Sequence, residues 1–208
     1  MPHPFRTLVT RSRSISALSA LILCITVAPA AHAATPPVTR SLELGETRAI
    51  SVAAMRPGIE RAILRMMNCI RTGGTLRSDG TCTGYGTGAN GGYRAPYLLS
   101  VAASDRVARP YAKLLVSLKE CNHWFDGSPS DRLRRGGIEF SNYGENIGCR
   151  DGSVARDSVL ASHLNFQSEK SYNGWHWRNI KEPSLTHVGI GFWQVGTTIR
   201  FTVDFFRP

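Results

Sequence analysis

From Met55 to Arg71, apolar side chains recur at Met55, Ile59, Ile63, Met66, Met67 and Ile70. That spacing places them on one face of an amphipathic helix. Pro57 falls in the first turn, where its missing N–H costs nothing, and Gly73-Gly74 ends the segment. A second helix is expected from Ser104, a good N-cap, to Glu120, with Val107, Tyr111, Leu114, Leu115 and Leu118 along one face. Pro110 should kink it or mark its first turns. A third runs from Asp157 to Gln167 around Val159, Leu160, Leu164 and Phe166. The period then changes to two. Val188–Trp193 and Thr198–Phe206 alternate across a Gly196-Thr197 turn, with Ile199, Phe201, Val203 and Phe205 facing one side and Arg200, Thr202 and Asp204 the other. That is a closing hairpin. Helices followed by a hairpin predict an α+β domain with helices packed on an antiparallel sheet.

The N-terminus follows a different logic. Arg6, Arg11 and Arg13 precede the apolar run Ser14–Pro29, and Ala31-His32-Ala33 supplies a small-x-small cleavage pattern. Residues 1–33 therefore read as a secretory signal peptide. Residues 34–54, with Pro36-Pro37, read as a linker or irregular arm, and 55–208 as one domain. No later run is apolar enough for a transmembrane anchor, so the product is expected to be secreted or periplasmic. The whole chain carries a net charge of +10, and loss of the leader removes three arginines and no acid, leaving +7. A basic exported protein suits a cell-wall polymer, a lipid or another surface partner. The basic residues are scattered, with Arg132, Arg134 and Arg135 the densest cluster, which argues against nucleic acid.

Cys24 leaves with the leader, and Cys69, Cys82, Cys121 and Cys149 remain. An even number in an exported chain reads as disulfides. Of the three connectivities, Cys69–Cys82 with Cys121–Cys149 is favoured, because each closes a short loop around a structural join. Gly86-Thr-Gly-Ala-Asn-Gly91 matches a nucleotide-binding glycine pattern literally. No strand precedes it and no helix follows, so it is read as a loop pinned by Cys82. There is no G-x-S-x-G elbow and no H-E-x-x-H.

Five short signals come in a fixed order. They are Asn68-x-x-Arg71, His123-Trp124, Ser128-Pro-Ser-Asp-Arg132 with Gly136-Gly-Ile138, Gly144-Glu-Asn-Ile147, and Trp175-His176-Trp177-Arg178-Asn179-Ile180 before Val188-Gly-Ile-Gly191. In this order they resemble the CAP superfamily of cysteine-rich secretory, antigen-five and pathogenesis-related proteins, and its bacterial secreted SCP-like branch most of all. The resemblance covers about Met55 to Phe206. It implies a three-layer α-β-α sandwich with a mainly antiparallel sheet, and a cleft holding two histidines and two acids. Residue by residue, His123 and His176 match the histidines, Glu145 of Gly-Glu-Asn the first acid, and Glu169 of Phe166-Gln-Ser-Glu169 the second. Two departures stand out: a long Gly-rich insertion after the first helix, and Tyr172-Asn-Gly-Trp175 where Ser-x-Gly-His is common.

Two imidazoles and two carboxylates suit a borderline divalent cation, Zn2+ first, with His123, His176, Glu145 and Glu169 as ligands. The same four are the catalytic candidates for general acid–base work. Trp124, Asn146, Trp175 and Trp177 lie beside them in sequence as ligand-binding candidates, whereas His163 and His187 match no motif. With both disulfides formed, no cysteine is left as a nucleophile. The reading is thus an exported, non-enzymatic domain whose His/Glu cleft binds a divalent cation and a small or lipidic ligand or surface partner. The alternative is a metal-assisted peptidase or cell-wall hydrolase using the same cleft.

Overall fold

The computed structural model describes residues 52–208. The segment read as a signal peptide and nearly all of the expected 34–54 arm lie outside the described residues. Helix α1 spans Val52–Arg71, starting upstream of the expected Met55, with Pro57 near its beginning. The glycine-rich insertion after it carries a small ribbon, β1 (Thr75–Leu76) paired antiparallel with β2 (Cys82–Thr83). The insertion is tied down by backbone bonds from Gly88 to Thr72 O and from Asn90 to Gly73 O. It also crosses close to α1, since a Cβ on Gly73 would sit 2.2 Å from the Gly88 Cα.

The second helical segment corrects an expectation. Its N-cap is Ser100, whose hydroxyl accepts the Ala103 N–H, not Ser104. The segment runs through α2 (Val101–Ala103), a π-helical turn (Ser104–Ala108) and α3 (Arg109–Leu118). Ser104 is buried inside it; its Oγ donates to Ser100 O and accepts the Ile190 N–H from the sheet, both at 2.9 Å. The widened turn lies just before Pro110, which has no N–H to continue a regular ladder. Helix α4 (Pro129–Arg135) follows, opened by a capping box in which Ser128 and Asp131 satisfy each other's backbone N–H. Then come β4 (Asn142–Asp151), α5 (Ala155–Ser168), a 3-10 turn (Glu169–Tyr172) and α6 (Trp175–Lys181). The hairpin closes the chain as β5 (His187–Val195) and β6 (Thr198–Arg207). A short β3 (Leu98–Leu99) pairs parallel with β5, so the main sheet has the order β3-β5-β6-β4 with its three long strands antiparallel.

Strand alternation sorts the side chains into two layers. Val188, Ile190 and Phe192 of β5, with Ile199, Phe201, Val203 and Phe205 of β6, pack under α1, α5 and α6. The other face meets α2, α3 and α4 through smaller clusters around Val107, Leu133 and Phe206, and around Tyr111, Leu115 and Ile147. The result is an α-β-α sandwich, as expected. The glycines of Val188-Gly-Ile-Gly191 set the spacing on the second face. A Cβ on Gly189 would lie 2.7 Å from the Ala103 backbone, and one on Gly191 would lie 2.2 Å from that of Ala108. Helix backbone thus rests directly on strand backbone.

Both disulfides form in the favoured connectivity, Cys69–Cys82 and Cys121–Cys149. The first ties the insertion to α1, and the second ties the loop after α3 to β4. Arg71, at the end of α1, binds the carbonyls of Ala95, Ile180, Glu182 and Leu185 and stacks 3.7 Å from the Tyr97 ring. One guanidinium therefore holds three separate loop ends against the first layer.

His163 belongs to this core and not to a site. Its Nδ1–H donates to Val159 O at 2.9 Å, and its ring stacks on Phe201. Complete burial pushes its pKa down to about 4. A histidine held neutral in the folded state stabilises above the unfolded value near 6.5, and that contribution is lost as pH falls toward 4. Urea unfolding should therefore show a loss of about 3 kcal/mol from this residue between those pH values. His163→Leu should flatten that part of the profile.

Candidate functional site

The four residues expected at the site form two His–Glu pairs. On the first, Glu145 projects from β4 toward the α3 layer. Its Oε1 meets Nδ1 of His123 at 2.7 Å and its Oε2 meets Nη2 of Arg132 at 2.5 Å. Arg132 is buried on α4, and its other terminal nitrogen, Nη1, binds the carbonyls of His123, Phe125 and Gly127. The guanidinium also stacks 3.5 Å from the ring of Tyr111, whose hydroxyl donates to Asn122 O. A single arginine thus folds the 122–127 loop over itself and sets the imidazole against its acid. The Glu145 side chain is 1% exposed whereas that of His123 is 40% exposed, so the imidazole is the part that solvent reaches.

On the second, Glu169 sits in the 3-10 turn and His176 in the first turn of α6. Oε1 of Glu169 meets Nδ1 of His176 at 2.5 Å, while Oε2 accepts the backbone N–H groups of His176 and Trp177. The N-cap position is Gly174, which has no side chain, so Glu169 caps the helix from outside. A face of the His176 ring rests on Phe166, with centroids 4.3 Å apart.

The pairs are joined through asparagines. Asn179 Nδ2 donates to Glu145 O and to Asn146 Oδ1, and Asn146 Nδ2 donates to His176 O. Gly144 is needed for this contact, because a Cβ there would lie 3.0 Å from Asn179 Oδ1. This is the physical content of Gly-Glu-Asn followed later by His-Trp-Arg-Asn.

Two of the expected ligand-binding residues are buried. Asn146 is 1% exposed with its amide spent inside the protein, and Trp177 is 6% exposed within the first-layer core. Their companions differ: Trp124 and Trp175 are 66% and 72% exposed. His187 stays apart from the pairs, bonded to Thr186.

Two residues of the site were missed. Arg132 stands in one of the five ordered signals and in the densest basic cluster, but neither reading gave it a role at the site. Asp204 is the other. It pairs across strands with Glu145, is wholly buried, and neither carboxyl oxygen has a hydrogen-bond partner. Burial, and next the neighbouring Glu145, raise its pKa well above the ordinary carboxylate value. In the sequence it stood only as one of the alternating polar residues Arg200, Thr202 and Asp204 of the hairpin.

This geometry tests the four-ligand cation site. Both glutamates have each oxygen engaged by the protein, and among the described residues no three His, Cys, Asp or Glu side chains gather as a preformed metal cage. The carboxylates do not fit as ligands. The imidazoles fit better: each has Nδ1 held by a carboxylate, and Nε2 meets no protein partner among the described residues. A carboxylate behind Nδ1 is the usual support of a metal-binding histidine.

No protein-family model matches the chain. A stretch of 71 residues, 34% of the chain, is 31% identical to the uncharacterized protein YkwD of Bacillus subtilis, covering 24% of that protein. Among solved structures, an extracellular SCP-domain protein from Bacillus anthracis aligns over 79% of this chain and 45% of its own, with TM-score 0.56 and 20% identity. Venom allergen-like protein 4 of Schistosoma mansoni aligns over 72% of this chain and 88% of its own, with TM-score 0.48 and 12% identity. The chain therefore spans less than half the length of either Bacillus protein. Its fold is that of the SCP domain, the CAP fold.

Two substitutions examine the acid cluster. Arg132→Ala leaves Glu145 buried without its cation and should cost about 3–5 kcal/mol in urea unfolding. Asp204→Asn keeps the shape of a protonated acid. It should raise the melting temperature at pH 7 by roughly 2–4 °C and lose that advantage at acid pH, where the native carboxyl is protonated at no cost.

Proposed function

We propose that this chain is an exported CAP-superfamily domain that binds a ligand at its two oriented histidines. The observation that carries this reading is the complete engagement of Glu145 and Glu169. A carboxylate with both oxygens held by arginine, histidine or backbone N–H is poorly placed to take a proton from an attacking water. The same bonds hold the imidazoles rigid, which suits recognition. Binding is thereby favoured over hydrolysis.

Export is supported by the leader pattern, by two disulfides, and by the fold shared with an extracellular protein. No helix among the described residues is long and apolar enough to cross a membrane. In this reading a divalent cation, Zn2+ first, would be held by Nε2 of His123 and of His176, with the glutamates supporting Nδ1. Bound there, it would add positive charge to attract a ligand's oxygen atoms.

Calorimetric titration of Zn2+ into the mature, oxidised protein at neutral pH tests this. Binding of about one ion per chain is expected. His123→Ala and His176→Ala should each weaken it at least tenfold, with circular dichroism at 25 °C matching wild type. An absence of heat and of thermal shift would remove the cation from the proposal.

A further inference from the structure

The turn before α6 holds a second layer of chemistry around His176. A cavity of about 370 Å3 is lined by Glu169, Tyr172, Asn173, Gly174, Trp175 and His176. Its size is within the range of small-ligand sites. Two of its walls are aromatic rings left in solvent: Tyr172 is 69% exposed and Trp175 72%. Both rings therefore present apolar area to solvent beside polar groups.

The cavity is built and not incidental. Asn173 takes the left-handed conformation that turns the chain back, with φ of 54°. A Cβ on Gly174 would lie 2.6 Å from Glu169 Oε2 and 2.7 Å from Tyr172 Cε2, so glycine is what lets the acid and the phenol ring meet. The Arg178 guanidinium lies 4.2 Å from the centre of the Trp175 ring and orients the indole. Arg178 has no acidic partner among the described residues.

We propose that Tyr172 and Trp175 are the stacking walls of a saccharide subsite, with His176 and Asn173 meeting the sugar's hydroxyl groups. This rests on the reading of the His/Glu cleft as ligand-facing and names the ligand class. A pyranose ring presents flat C–H faces and a polar edge. The cavity offers aromatic faces and an imidazole, a carboxamide and a phenol at the edge. An alkyl chain is a worse match, because it would bury those polar groups without hydrogen bonds. The net charge of +7 left after loss of the leader would draw such a domain to an acidic wall glycan.

The test uses the mature, oxidised protein. Co-sedimentation with purified peptidoglycan and calorimetry with chitotetraose are the probes, and Zn2+ titration runs in parallel. Binding to at least one glycan is expected, weakened at least tenfold by Trp175→Ala and by Tyr172→Ala. Tyr85→Ala, at an exposed aromatic in the insertion, should leave it unchanged. Both rings are exposed, so circular dichroism and the Zn2+ isotherm should match wild type in all three variants. A wild-type protein that binds Zn2+ but neither glycan would overturn the saccharide subsite and leave the reading of the histidines standing. Glycan binding indifferent to both wall variants would overturn it too, as would Trp175-dependent binding to phosphatidylglycerol vesicles with none to glycan.

Discussion

The buried guanidinium of Arg132 is the contact on which the site depends. It meets Glu145, three carbonyls of the 122–127 loop and the face of Tyr111 at once. Burying a charge is costly unless its partners are close and well aligned, and here both Nη atoms are used while Nε has no hydrogen-bond partner. Phe125 of the loop packs against the Tyr111 cluster, and the arginine holds the loop's carbonyls around it. His123 stands opposite Glu145 because its own carbonyl is held by the same arginine. The Cys121–Cys149 bridge anchors the other end of the loop to β4.

A comparable economy governs the second pair. Glu169 caps α6 with one oxygen and holds His176 with the other. The helix start and the imidazole are therefore one construction, and neither can shift alone. Asn146 and Asn179 join it to β4. Beneath, the sheet is covered so closely at Gly189 and Gly191 that α2 and α3 have no room to slide. Rigid scaffolding of this kind favours a fixed recognition surface.

The acids have separate duties that composition could not distinguish. Glu145 and Glu169 orient histidines. Asp204 lies behind Glu145 in full burial, where desolvation and the neighbouring carboxylate raise its pKa. The groups that reach solvent are the imidazoles and the open rings of Trp124, Tyr172 and Trp175. The departure at Tyr172-Asn-Gly-Trp175 thus places Tyr172 and Trp175 in solvent beside His176.

Much of this was legible in the chain itself. The period of α1 and α5, the alternation of the hairpin and the pairing of four cysteines are local or nearly local signals, and each yields to burial of one face or closure of a short loop. The ordered motifs brought His123, Glu145, Glu169 and His176 forward as the residues to watch. Local pattern was silent on β4, α4 and α6, which are short or polar and are held by caps and cross-strand bonds. It misread Ser104 and Arg132 because their partners, Ile190 and Glu145, are distant in sequence. It could not separate Trp175, in water, from Trp177, in the core, two positions along the same helix. Sequence determined which residue types were present and which faces were apolar. Tertiary structure decided which polar groups lost water and therefore had to find one another, and that desolvation turned four candidate ligands into two supported imidazoles.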